Sequence, residues 1–222
     1  METPALLFDL DGTLVDTAPD LLLAINAVLA SERRSPIKLA TLKAMVGSGV
    51  RALIERAFAA TGASLAAGQS TNLEQRFIAH YTRHLTEGSH IFPQVRDTLE
   101  RLRRDGARLA VLTNKPQKLA ERLLKNERLS QYFDVIRGTD GAGSIKPDAH
   151  VVTQIIARLG GAGAGVLMVG DSPVDVATAR AAEIPVVLVS YGYTSRPASA
   201  LGADAVIGSL LELPALLPRL LT

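Results

Sequence analysis

Short continuous apolar runs recur along this chain, each joined to the next by a stretch of helical period. Ala5 to Leu10, Leu109 to Leu112, Phe133 to Ile136, Val166 to Val169, Pro185 to Val189 and Ala205 to Ile207 read as strands. Strands without polar alternation are buried on both faces, and helical crossovers between them make a parallel sheet covered on two sides. After Pro93 the crossovers are legible. Val95, Leu99 and Leu102 mark a helix capped by Gly106, and Pro116 to Asn126 a second. Val152, Ile155, Ile156 and Leu159 form the stripe of a third, ended by Gly160, and Pro173 to Ala182 is a fourth. A last helix follows the final strand.

The first strand breaks this rhythm. From Thr17 to Gly88 the period is helical throughout, and no strand is evident. Pro19 suits the first turn of a helix reaching Ser31. Further helices are expected near Leu39 to Met45, Val50 to Ala60 and Gln69 to Glu87, the last with Leu73, Phe77, Tyr81, His84 and Leu85 on one stripe. The chain therefore divides into an α/β core, residues 1–15 and 91–222, and an all-helical insert, residues 16–90.

Composition narrows the chemistry. Cysteine is absent from the 222 residues, which removes disulfides, thiolate metal sites and cysteine nucleophiles and fits a reducing compartment. Lys plus Arg number 24 and Asp plus Glu 22, so a formal charge of +2 builds no field for nucleic acid. No apolar run approaches the ~20 residues that span a bilayer. Met1-Glu2-Thr3-Pro4 carries no basic region before an apolar run, so no leader segment is expected. The expectation is a cytoplasmic protein without a nucleic-acid or membrane partner, monomeric or homodimeric. There is no Gly-Lys dipeptide for a Walker phosphate loop, no Gly-x-Ser-x-Gly elbow and no Gly-x-Gly-x-x-Gly after the first strand.

Every notable polar group sits where a strand has just ended: Asp9 and Asp11, Thr113, and Asp171. In a parallel sheet that edge is where ligands bind. Asp9 and Asp11, two apart, face the same side of an extended backbone. Two adjacent carboxylates repel, and a hard cation such as Mg²⁺ removes the conflict. The Asp-Gly pair reads equally well as a turn. Asp171, Ser172 and Pro173 make a good helix start, and Asp175 a good first-turn acid, yet together they add carboxylates to the same edge. Thr113 and Asn114 read either as a cap or as a hydroxyl and an amide facing a phosphate. Lys146 reads as a surface lysine, or beside the acids as a point charge that neutralises phosphate.

Taken in order, these segments resemble the haloacid dehalogenase superfamily. Phe8-Asp9-Leu10-Asp11-Gly12-Thr13-Leu14 is similar to its first motif, Thr113 to the second, Lys146 to the third, and Gly170-Asp171-Ser172-Pro173-Val174-Asp175 to the fourth. Within it, Asn114-Lys115-Pro116, Val46 to Gly49 with Arg51, and Tyr191-Gly192-Tyr193 resemble bacterial phosphoglycolate phosphatases. Ala149 and Val174 depart from the usual pattern, where proline and asparagine are common.

The resemblance implies a Rossmann-like core with helices on both faces and an inserted helical cap. It implies a small phosphorylated metabolite as substrate, 2-phosphoglycolate first, with a nucleotide, sugar phosphate or pyrophosphate as alternatives. Asp9 would be the nucleophile and Asp11 the acid and base. Mg²⁺ would be held by Asp9, the Asp11 carbonyl and Asp171, and oriented by Asp175. Thr113, Asn114 and Lys146 would hold the phosphoryl oxygens, and Gly47, Gly49 and Arg51 of the cap a substrate carboxylate. Leu21 to Leu23 stand where a mutase of this fold usually has a histidine, Asp11 disfavours a dehalogenase, and only Lys38 or Lys43 would serve a phosphonate-cleaving enzyme. The intact set Asp9, Asp11, Thr113, Lys146 and Asp171 speaks against a non-catalytic binding module.

Overall fold

The computed structural model describes residues 3–62, 64, 65, 68–140 and 143–221. Met1 and Glu2, on which the leader expectation partly rests, lie outside them. Strand β1 (Ala5–Phe8) is followed by a two-residue strand β2 (Val15–Asp16) and four helices, α1 (Ala18–Ser31), α2 (Leu39–Lys43), α3 (Val50–Ala60) and α4 (Ser70–Arg83). Strand β3 (His90–Ile91) leads to α5 (Val95–Arg104). Then come β4 (Arg108–Pro116), α6 (Gln117–Asn126), β5 (Val135–Thr139), α7 (Ala149–Arg158), β6 (Val166–Gly170), α8 (Pro173–Ala181), β7 (Val186–Val189), β8 (Ala205–Ile207) and α9 (Leu213–Leu220).

Six strands form one sheet in the order β5-β4-β1-β6-β7-β8, every neighbouring pair parallel. Ala5–Phe8 pairs with Arg108–Val111 on one side and with Val166–Val169 on the other. The chain builds the sheet outward from β1 toward β5, then returns and builds the opposite half. The order reverses at β1, so a crevice opens at its carboxyl end, where Asp9 follows.

Side-chain alternation splits β1 between two apolar layers: Leu6 and Phe8 join one, Ala5 and Leu7 the other. Leu99, Leu123 and Leu213 bring α5, α6 and α9 to the first layer. Ile155 and Ala179 bring α7 and α8 to the second. The first layer runs on without a break into α1, α3 and α4 through Ile25, Leu29, Ile54 and Phe77. Each such side chain contributes about 1.5–3 kcal/mol when fully buried.

Among the described residues four helices lie between β2 and β3, which pair antiparallel as Val15 with Ile91 and Asp16 with His90. This ribbon left no periodic trace, because two residues are too few to show one. Helix α4 stops at Arg83 rather than Glu87. The backbone N–H groups of Thr86, Gly88 and Ser89 donate to the Asp20 carboxylate at 3.0, 2.6 and 3.0 Å instead of to carbonyls one turn back. Strand β4 runs to Pro116, beyond the expected Leu112, through an irregularity between those two residues.

Candidate active site

Asp9 directly follows β1, its N–H bonded to the Val169 carbonyl of β6 at 2.9 Å. Its buried carboxylate accepts at Oδ1 from the Leu10 N–H at 2.7 Å and from Lys146 Nζ at 2.9 Å. Lys146 also donates to Asp175 Oδ1 at 2.7 Å. The other Asp175 oxygen accepts from the Ser172 N–H (3.0 Å), the Ser172 hydroxyl (2.7 Å) and the Asp171 N–H (3.2 Å). The helix-start reading of Ser172 and Asp175 therefore holds: they form a capping box on α8. Asp171 stands just before it. Its Oδ1 accepts from Thr13 Oγ1 at 3.0 Å and its Oδ2 from the Tyr193 N–H at 2.7 Å.

Oxygens of Asp9, Asp171 and Asp175 lie within 4.8 Å of one another, all three residues buried. Burial pushes the Asp9 pKa up to about 6 against the pull of Lys146, with Asp175 and Asp11 adding to the rise. Burial, then Asp175 and Asp9, raises Asp171 well above the carboxylate range. Burial opposes the charge on Lys146, but Asp175 and Asp9 outweigh it and raise its pKa. Three buried carboxylates around one ammonium leave negative charge that a divalent cation would neutralise, and hard oxygen donors suit it. Asp9 and Asp171 are the members with capacity for the ion. Asp175 is occupied by four donor contacts and instead fixes Lys146 and the Asp171 backbone.

Gly12 shows how closely the turn after β1 approaches this cluster. Its φ is +89°, and a Cβ there would stand 2.5 Å from Asp171 Oδ2. Both conformation and space demand glycine.

Asp11 lies beyond the strand end and turns to a different partner set. Lys115 Nζ donates to its two oxygens at 2.9 and 3.2 Å, and Thr17 Oγ1 to one of them at 2.7 Å. Lys115, buried, also donates to the Tyr81 hydroxyl of α4 at 2.6 Å. Thr113, Asn114 and Lys115 occupy the irregular part of β4, and bulges of this kind re-aim side chains. All three line one cavity with Asp9, Asp11, Gly47 and Gly49. The Asn114 side chain is already engaged: Nδ2 donates to the Gly47 and Lys146 carbonyls, and Oδ1 accepts from the Lys146 N–H. Gly49 precedes α3, whose first turn faces the cavity through Val50 and Leu53. Arg51 is not brought to this group. Its Nε donates to Glu74 Oε1 at 2.6 Å, and its side chain is 60% exposed.

Sequence reasoning passed over Lys115, Tyr81 and Tyr193 as working residues. Lys115 has no sequence signal beyond its place in Asn114-Lys115-Pro116, and Tyr81 falls on the apolar stripe of α4. The Tyr193 hydroxyl accepts the N–H groups of Thr17 and Ala18 at 2.7 and 2.9 Å and donates to Asp16 at 2.7 Å. It caps α1, whose own N-cap makes no side-chain bond.

A buried cluster of acids around a lysine, at the switch point of a parallel sheet with helices inserted after the first strand, defines a class. The model of the haloacid dehalogenase-like hydrolases matches residues 6–189, and the chain belongs to that family. Within it the chain is a phosphatase. It is 47% identical over 215 residues to the phosphoglycolate phosphatase of Caulobacter vibrioides, covering 97% of this chain and 91% of that one. It is 41% identical over 213 residues to the phosphoglycolate phosphatase of Rhodospirillum rubrum, covering 94% and 88%. A crystal structure described as a predicted phosphoglycolate phosphatase, from Haemophilus somnus, superposes with a TM-score of 0.89 at 28% identity, covering 96% of this chain and 97% of that one. Among the described residues no helix is long and apolar enough to cross a membrane.

Proposed function

We propose that the protein hydrolyses 2-phosphoglycolate to glycolate and phosphate, with Mg²⁺ and through an aspartyl-phosphate on Asp9. The observation that carries the reading is the buried carboxylate held by Lys146 at the switch point, open to the cavity. The 47% identity to a phosphoglycolate phosphatase supports the substrate.

Leu10 N–H and Lys146 both address Asp9 Oδ1, which supports Oδ2 as the oxygen that attacks phosphorus. The phosphorus–oxygen bond to the substrate breaks as the bond to Asp9 forms. Asp11 gives its proton to the leaving alkoxide, then takes one from the water that attacks the acyl phosphate, regenerating Asp9 and releasing phosphate. A dianion repels a carboxylate, so charge must be offset before attack. Lys146 supplies one positive charge, and the Thr113 hydroxyl and the Asn114 backbone amide supply donors for the phosphoryl oxygens. Asp9, the Asp11 carbonyl and Asp171 would hold Mg²⁺, which would offset the remaining negative charge of the phosphoryl group. Asp175 keeps Lys146 and Asp171 in register.

The helices between β2 and β3 act as the cap, with residues 16–90 closing over residues 1–15 and 91–222, and Gly47 and Gly49 present the start of α3 to the substrate. We take the working form to be a cytoplasmic monomer or homodimer, in line with the absence of cysteine, and size-exclusion chromatography reads its size.

The test is phosphate release with and without Mg²⁺ from 2-phosphoglycolate, nucleotides, sugar phosphates and pyrophosphate. The expected outcome is Mg²⁺-dependent release with the highest kcat/KM on 2-phosphoglycolate. Asp9→Asn should remove turnover while the protein stays folded by circular dichroism; turnover persisting in that variant refutes the nucleophile.

A further inference from the structure

Among the residues that line the cavity, Lys115 is the one cation, and nothing in the hydrolysis above uses it. It is an unusual lysine: buried, with its ammonium spread over both Asp11 oxygens and the Tyr81 hydroxyl. The wall beside it is apolar, with Leu21, Leu53 and Phe77. Burying an ammonium in such a wall is costly unless an anion meets it, and Asp11 meets it here on one side, with the cavity on the other.

We infer that Lys115 is the residue that selects for a carboxylate on the substrate, receiving it in the cavity between Asp11 and Tyr81. This rests on the reading of 2-phosphoglycolate as substrate. Geometry supports it. Lys115 touches the carboxylate that serves the leaving oxygen, so its ammonium stands on the leaving-group side of the site. In phosphoglycolate one methylene separates the leaving oxygen from the carboxylate, which brings that carboxylate to the same neighbourhood. Charge supports it too. Asp9, Asp11, Asp171 and Asp175 all repel a second anion on the substrate, and Lys146 is consumed by two of them. Lys115 has three N–H donors, and the incoming carboxylate replaces one of the Asp11 oxygens at the ammonium. Tyr81 keeps the ammonium aimed while this exchange takes place. Arg51, the cation expected for this task, is turned outward to Glu74.

The experiment compares kcat/KM on 2-phosphoglycolate with kcat/KM on 2-hydroxyethyl phosphate, which keeps the carbon skeleton and an alkoxide leaving group but lacks the carboxylate. Any effect of Lys115 exerted through Asp11 falls on both substrates and cancels in the ratio. The wild type should favour phosphoglycolate by at least about tenfold, and Lys115→Met should lower the ratio by about 30-fold, the scale of one charge-assisted hydrogen bond. Tyr81→Phe, which keeps the buried ring, should lower it by about three- to tenfold and serves if the lysine variant does not fold. A ratio unchanged in both variants overturns the role of Lys115 while leaving the substrate reading intact. A ratio that collapses in Arg51→Ala instead gives the carboxylate to Arg51 and overturns it as well. A wild-type ratio near one refutes the substrate reading, and this inference with it.

Discussion

Lys146 shows how one side chain can be both a liability and a necessity. Fully buried, it is tolerated because Asp9 and Asp175 lie at 2.9 and 2.7 Å. Lys146→Met leaves both carboxylates without their counter-charge. It should lower phosphate release by at least about a thousandfold and stability by about 3–5 kcal/mol in urea denaturation without added cation. A variant as stable as the wild type would show that the pair is not buried as described. Asp9 makes the pH prediction. Its folded-state pKa is raised from 3.8 to about 6. The folded protein without cation is thus stabilised by a proton on Asp9 at low pH and loses that stabilisation as pH rises through about 6. A cation needs the same carboxylate charged. The rise in Tm on adding Mg²⁺ should therefore be largest above pH 6 and shrink as pH falls through it; equal rises at pH 5 and pH 8 contradict this. The Asp-Gly turn is present, made by Gly12, which leaves Asp171 its space, whereas the Asp9–Asp11 pair does not form: Asp9 gathers with Asp171 and Asp175, and Asp11 turns to Lys115 and Thr17.

At the scale of elements, the joints between core and insert carry their own carboxylate and phenol. Asp20 of α1 collects three backbone N–H groups and the hydroxyl of Ser89 from the segment returning to β3. Asp20→Ala strands those donors and should cost about 2–3 kcal/mol by denaturant unfolding, with faster amide exchange across residues 86–89. Unchanged exchange there would show that the ribbon alone holds the joint. The sequence pattern anticipated α3 over Val50–Ala60 and β8 over Ala205–Ile207 as they stand. It extended α4 past Arg83 because Leu85 continues the apolar stripe, and it ended β4 too early because an irregular strand has no period. In both cases long-range hydrogen bonds override the local pattern: Asp20 in the first, the pairing of Pro116 with Thr139 in the second.

Across the whole molecule, a single apolar layer runs from α5 and α6 through β1 into the helical insert. Core and insert should accordingly unfold together. Far-UV circular dichroism and tyrosine fluorescence should give coincident urea transitions, and two separated transitions would show that the insert holds its own core. What the sequence determined by itself is the order of parts and the gathering of its notable polar residues at strand ends. Apolar strands alternating with helices require a parallel sheet, and polar residues at strand ends must share its carboxyl edge, since side-chain period and crossover handedness are local consequences of chain chemistry. What only the tertiary structure decided is which of those groups meet. The lysine beside Asp9, the distinct partners of Asp9 and Asp11, and the burial of Lys115 against Tyr81 all depend on residues tens of positions apart along the chain. Local pattern places each residue on an element, but contacts between elements come from packing the layers. That packing turned Arg51 outward and left Lys115 facing the cavity.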